Sequence, residues 1–307
     1  MEKRYPPVIL ATCCIPWKPD GRLAGPVFRR TVRRLVQNLT PHVYLFGTAG
    51  EGHAVTDRQF DQIISVFWQE MSRLKAKPML GVISLTLGTI LERIDRARDL
   101  GFRSFQISLP SWGALNDREL MMFFEKVCGT FPDCSFLHYN LMRTKRLITP
   151  TEYGKLAREF PNLVATKNST DSPERVAALM NESPQLQHFF TEAGYGHGSL
   201  MGECGFLISV ASINFRRGRE YFEAGQRQAA RTVQPMQQEL IALTKDLIAV
   251  VGPTAHMDGA YDKLFCKLHD PEFPLRLLPP YSTSSEKTFR EFVRLVRRKY
   301  PRWFKAN

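Results

Sequence analysis

Residues 135–167 read SFLHYNLMRTKRLITPTEYGKLAREFPNLVATK, and the order of patterns within them decides the fold. Ser135–Asn140 (SFLHYN) and Leu163–Lys167 (LVATK) are short runs, rich in aromatic or β-branched residues and closed by polar ones. Between them Thr151–Phe160 has the look of a helix and follows Pro150, a residue favoured in the first helical turn. Near-continuous apolarity marks strands covered on both faces, so strand–helix–strand is here the unit of a parallel sheet.

The same unit repeats outward along the chain. VILATCC (Val8–Cys14), VYLFG (Val43–Gly47), PMLGVIS (Pro78–Ser84) and FQISLP (Phe105–Pro110) precede it, and LQHFF (Leu186–Phe190) and FLISVAS (Phe206–Ser212) follow. Helical segments fill the gaps. Val27–Leu39 spaces Phe28, Val32, Leu35, Val36 and Leu39 for one face, and Asp57–Leu74 starts after Thr56. Thr89–Leu100 stops at Gly101, Asp117–Val127 follows Asn116, and Ser172-Pro173 opens another helix. Eight strands alternating with helices predict an α/β (β/α)8 TIM barrel whose core covers residues 1–218. Residues 219–307 then hold the last barrel helix and a C-terminal helical extension, with Arg219–Val250 and Ser285–Tyr300 helical. A doubly wound open sheet shares the alternation, but the strand count favours closure.

The composition, 43% hydrophobic and 23% charged over 307 residues, excludes a disordered or fibrous chain. The net charge of +12 suits an acidic partner or a basic surface that draws in anionic metabolites. The basic clusters RRTVRR (Arg29–Arg34), RRGR (Arg216–Arg219) and VRRKYPRWFK (Val296–Lys305) are scattered over different elements. No nucleic-acid-binding motif accompanies them, so solvated helix faces account for them and no nucleic-acid partner is expected. Six cysteines without a C-x-x-C pair argue against a disulfide framework and against a metal site. No run approaches the roughly 18 apolar residues that cross a bilayer, so no membrane association is expected. Val8–Cys14 is too short and too poorly flanked for a signal peptide, which makes the expected location cytoplasmic.

Barrel active sites lie at the C-terminal strand ends. Those ends carry Thr48, Gly50 and Glu51, then Tyr139 and Asn140, Lys167, Glu192, and Ser209 to Asn214. Lys167 closes LVATK and should emerge into the mouth, where desolvation lowers its pKa and exposes a nucleophilic amine. The competing reading is a strand-end lysine that snorkels to water. Tyr139 can relay protons to that amine, or be a core aromatic bonded to backbone. In FGTAGEG (Phe46–Gly52) close glycines let backbone N–H groups converge on an anion, with Thr48 as a hydroxyl donor. The loop fits neither G-x-G-x-x-G nor the P-loop, and a plain Gly-rich turn is its default reading.

Together FGTAGEG, HYNLMRT and VATKNST, in this order and at these barrel positions, resemble the dihydrodipicolinate synthase and N-acetylneuraminate lyase superfamily. The likeness extends through GECGFLISVASINF (Gly202–Phe215) and the helical tail. It implies a class I Schiff-base enzyme acting on pyruvate or another 2-keto acid, with no cofactor beyond a covalent imine on Lys167. By that resemblance Lys167 forms the imine, Tyr139 is the general acid/base, and Thr48 and Ala49 hold the carboxylate of the keto acid. Gly50, Glu51, Arg143, Glu192 and Ser209 complete the expected substrate contacts, and the assembly is expected to be a homotetramer or homodimer.

Four departures narrow the activity. Ala49 stands where the family often has a second hydroxyl. SLPSWGAL (Ser108–Leu115) offers Trp112 where the synthases place a relay tyrosine, and an indole cannot pass a proton; an interface role suits it better. Leu141–Lys145 is one residue shorter than the usual loop, leaving the aim of Arg143 open between a carboxylate clamp and a surface position. TEAGYGHG (Thr191–Gly198) replaces the usual seventh-strand loop, so Glu192, and with it His197, could meet sugar hydroxyls. These departures favour a lyase or dehydratase acting on a 2-keto-3-deoxy sugar acid or an N-acetylneuraminate-like substrate. A synthase-type condensation of pyruvate with an aldehyde and an inactive keto-acid-binding barrel are the alternatives.

Overall fold

The computed structural model describes residues 2–304. Eight parallel strands, each beside the next in sequence, close into a barrel. They are β1 (Ile9–Cys13), β2 (His42–Leu45), β3 (Lys77–Gly81), β4 (Ser104–Ile107), β5 (Ser135–Asn140), β6 (Leu163–Asn168), β7 (Gln187–Phe190) and β8 (Gly205–Ile208). Closure is made by β8 against β1, with Phe206 opposite Ile9 and Ile208 opposite Ala11. Helices α1 (Gly25–Asn38), α2 (Asp57–Arg73), α3 (Leu87–Leu100), α4 (Asp117–Phe124), α5 (Pro150–Glu159), α6 (Pro173–Glu182) and α7 (Glu192–Met201) connect successive strands. After β8 come α8 (Phe215–Gln226), α9 (Ala230–Val251), α10 (Gly259–His269), α11 (Glu286–Lys299) and the short α12 (Pro301–Phe304).

Period-two alternation sorts each strand between two cores. Leu10, Tyr44, Met79, Leu137, Ala165, Phe189 and Leu207 form one buried cluster inside the barrel, joined by Val164, which the register between β5 and β6 skips. Their strand neighbours, including Ile9, Val43, Leu80, Phe136, Phe190 and Phe206, belong to a larger cluster that continues into the helices. The same parity places Tyr139, two residues beyond Leu137, and Lys167, two beyond Ala165, at the inner C-terminal end. Helix starts are fixed locally. Thr56 with Gln59, Asn116 with Glu119 and Thr149 with Glu152 are capping boxes, and Gly101, at φ 112°, ends α3.

Three details differ from the sequence pattern. TEAGYGHG is not a loop: from Glu192 onward it is α7. Glycine disfavours helices locally, but tertiary packing overrides propensity here. A Cβ at Gly196 would lie 2.5 Å from the Tyr221 hydroxyl and 2.6 Å from Gln237 Cδ, so α8 and α9 approach α7 at a distance only glycine permits. The expected continuous helix over Arg219–Val250 is two helices, α8 and α9, and the 218/219 boundary falls within α8. Finally, α10, which that reading leaves without an assignment, carries groups that reach the barrel mouth.

Many of the basic clusters are paired within the fold. Arg29, Arg33 and Arg73 converge on Glu70, Arg30 meets Asp270 and Glu272, Arg217 meets Glu239, and Lys299 meets Asp246. Among the described residues no helix is long and apolar enough to cross a membrane.

Candidate active site

Strand β6 delivers Lys167 to the inner wall, where it is 4% exposed. Its Nζ donates to the Tyr44 hydroxyl at 3.0 Å and stands 3.7 Å from the centre of the Tyr139 ring. Burial is the leading influence on this amine and lowers its pKa to about 8, against the opposing pull of Asp258 and Asp262. About one tenth of the amine is therefore neutral at pH 7, the form a nucleophile requires.

Tyr139 comes from β5, paired opposite Lys167 in the sheet register. Its phenol contacts the Thr48 and Ser169 hydroxyls, and burial followed by the nearby Asp258 pushes its pKa up to about 12. It is thus a protonated donor with a hydroxyl chain on one side and the lysine on the other. Tyr44, on β2, is also fully buried and held protonated by burial.

The loop after β2 supplies Thr48, Ala49, Gly50 and Glu51, but their side chains part company. Thr48 reaches Tyr139. The Ala49 methyl packs with Cys14 and Phe273, so a hydroxyl at this position would meet an apolar wall rather than the mouth. Gly50 allows the chain to fold tightly: a Cβ there would lie 2.8 Å from the Phe46 nitrogen. The Glu51 and Gly52 amides donate within the turn to the Thr48 and Gly47 carbonyls.

Glu51 is placed away from the substrate contacts that the sequence suggests. The residue is 2% exposed and faces the barrel wall, where its carboxylate accepts from Trp17 Nε1 at 2.8 Å and from the Leu278 amide at 2.6 Å. It also pairs with Lys263 of α10, whose side chain is fully buried. This acid ties the loop to the helical tail.

At the mouth, a cavity of about 890 Å³ is lined by Tyr139, Ser169, Arg143, Glu192, Ser209 and Asp258, among others. Glu192 Oε1 accepts from the Ser209 and Ala211 amides at 2.8 and 3.0 Å, and burial raises the pKa of its carboxyl. The Ser209 hydroxyl donates to Asp262 of α10 at 3.0 Å. Glu192 and Ser209 therefore reach the cavity while engaged with each other's neighbourhood, whereas His197, further along α7, is not among the lining residues. Arg143 also borders a second cavity of about 450 Å³ that contains Thr48, His53 and Tyr281. Its guanidinium is exposed but tethered: it pairs with Asp258, which lines the same mouth cavity.

The sequence reading leaves out Tyr44, Ser169, Asp258, Tyr261 and Asp262. Asp262 is buried on α10, and burial followed by the charge of Asp258 drives its pKa well above the usual carboxylate range.

Comparison with known proteins agrees with this architecture. A 4-hydroxy-tetrahydrodipicolinate synthase of Thermus thermophilus is 32% identical over 176 residues, 57% of this chain and 55% of that protein. The chain thus spans little more than half the length of that relative. Among solved structures, the pyruvate complex of YagE, a prophage protein of the dihydrodipicolinic acid synthase family from E. coli K12, superposes with a TM-score of 0.84 at 16% identity, covering 95% of this chain and 98% of that one. Proteus mirabilis N-acetylneuraminate lyase gives 0.81 at 15% identity, covering 94% and 97%. These two likenesses carry the fold. The model of the dihydrodipicolinate synthetase family matches residues 7–297, nearly the whole chain, and the chain belongs to that family.

Proposed function

We propose that this protein is a class I Schiff-base lyase acting on pyruvate-derived 2-keto acids, with a 2-keto-3-deoxy sugar acid or an N-acetylneuraminate-like compound as its substrate. The observation that carries the reading is the burial of the Lys167 amine between two phenols beside a cavity large enough for a sugar acid.

In this reading the carboxylate of the keto acid binds the Thr48–Gly50 amides and the Thr48 hydroxyl. That fixes C2 in front of Lys167. The neutral amine adds to C2, and Tyr139 passes protons between the carbinolamine oxygen and the Thr48 side to expel water. The resulting iminium accepts the electron pair released when the C4 hydroxyl loses its proton and C3–C4 breaks, which leaves a pyruvate enamine and an aldehyde. In a dehydratase the C3 proton is removed instead and the C4 hydroxyl leaves. No metal or organic cofactor is required by either route. Trp112 stands where the synthases place a relay tyrosine and cannot pass a proton, which favours cleavage or dehydration over condensation.

A condensation of pyruvate with an aldehyde is the second reading, favoured by the name of the Thermus relative. Release of pyruvate from a panel of 2-keto-3-deoxy sugar acids, followed beside condensation of pyruvate with aldehydes, separates the two. The proposal expects pyruvate release that disappears in Lys167→Ala. Condensation without any cleavage would replace it with the synthase reading.

Association into a homodimer or homotetramer is proposed as well. Trp112 is 82% exposed, and Leu85 and Met142, also exposed, lie on loops at the same end of the barrel. Large apolar side chains left in water at strand ends suit a surface covered by a second copy.

A further inference from the structure

Arg143 leaves β5 on the short turn Met142–Thr144, and Asp258 directly precedes α10. The two meet across the mouth. Arg143 Nη2 donates to the His256 carbonyl at 2.6 Å and lies 3.3 Å from Asp258 Oδ1. A guanidinium grips a carboxylate with two parallel N–H bonds, from Nε with Nη2 or from Nη1 with Nη2. Nη2 belongs to both edges. With its two hydrogens taken by the tail, neither edge is free for a two-point clamp. The side chains are 45% and 24% exposed, so an incoming ligand meets this pair rather than a bare arginine. A second carboxylate would also face Asp258 itself, with Glu192 lining the same cavity. A hydroxyl-bearing group carries no such penalty, because it donates to a carboxylate as readily as it accepts from a guanidinium.

We infer that Asp258 determines specificity: by occupying Arg143 it turns away keto acids that carry a second carboxylate and admits those whose far half is uncharged. This rests on the keto-acid reading above and names the substrate class it selects.

The test sets 2-oxoglutarate against 2-oxopentanoate, the same carbon chain with and without the second carboxylate. Both are offered together to one sample and reduced with borohydride, and the two lysine adducts are compared by intact mass. Because the compounds compete for one amine in one variant, changes in Lys167 reactivity cancel in the ratio. The wild-type chain should yield mainly the 2-oxopentanoate adduct. Asp258→Ala, which removes the like charge and returns one Nη2 hydrogen to the guanidinium, should raise the share of 2-oxoglutarate about tenfold, and Asp258→Asn, which removes the charge while its amide oxygen still accepts from Nη2, should raise it by less. Adding Arg143→Gln to Asp258→Ala should return the ratio toward wild type. Asp258→Asn, nearly isosteric, carries the test if the alanine variant does not fold. An unchanged ratio, or a gain that survives Arg143→Gln, overturns the assignment. Pyruvate serves as the control: a wild-type chain that forms no adduct with it brings down the imine reading and this inference together, whereas a pyruvate adduct with an unchanged ratio removes the role of Asp258 alone.

Discussion

Replacing Glu51 by Gln tests whether this acid belongs to the substrate or to the scaffold. The residue is 2% exposed, its carboxylate accepts from Trp17, Leu278 and Lys263, and the Lys263 side chain is fully buried. Without the carboxylate charge, the Lys263 ammonium keeps only neutral acceptors such as the Arg276 carbonyl. Breaking a buried ion pair by removing one partner costs about 3–5 kcal/mol, because the surviving charge is left uncompensated. At about 2 °C per kcal/mol for a chain of this size, the melting temperature should fall by about 6–10 °C. Thermal unfolding followed by circular dichroism at fixed protein concentration measures this. Glu51→Gln/Lys263→Met should recover part of the loss, since no orphan charge is then buried. Below the melt, pyruvate adduct formation should persist in the single variant. A fall of less than about 2 °C accompanied by loss of the adduct would refute the reasoning and return Glu51 to the substrate contacts that the sequence suggests.

Tyr139→Phe should slow adduct formation by about two orders of magnitude while changing carboxylate binding little, since it removes a proton relay and leaves the loop amides in place; stopped-flow kinetics over a range of pyruvate concentrations separate rate from affinity, and equal losses in both would make Tyr139 a binding residue. With the Lys167 pKa lowered to about 8, the neutral fraction is about one tenth at pH 7. The rate of adduct formation should therefore rise about tenfold from pH 6 to 7 and level off above pH 8, whereas continued growth past pH 9 would mean an unperturbed lysine. Trp112→Glu should shift the protein toward monomers in light scattering with no change in its melting profile when diluted; an unaltered assembly would place the interface elsewhere.

How far the sequence reaches depends on whether the decisive partners are local. The barrel was legible because strand runs and helical periods are local patterns, and Lys167 and Tyr139 because both close such runs. Parity from Leu137 and Ala165 then sets their direction. Tyr44 was equally open to that argument, as the interior member of VYLFG, but an aromatic in a strand reads first as core packing. α7 was hidden by its glycines, whose reason is the close approach of Tyr221 and Gln237 from later helices. Glu51 looks like a mouth residue because it sits in a Gly-rich loop; its partners, Trp17, Lys263 and Leu278, are far away in sequence. Arg143 is the same case. Its aim is set by Asp258, and nothing near either residue announces the other. Asp262 belongs to α10, a helix of ordinary composition whose acid becomes chemically unusual only through burial beside Ser209.

The central claim is that Lys167 forms an imine with a 2-keto acid. Borohydride reduction in the presence of pyruvate, followed by peptide mass mapping, tests it most directly. A reduced pyruvate adduct on the peptide containing Lys167, and its absence in Lys167→Ala, is the predicted result. A folded protein with pyruvate in excess that carries no adduct, or carries it on another lysine, would contradict the account.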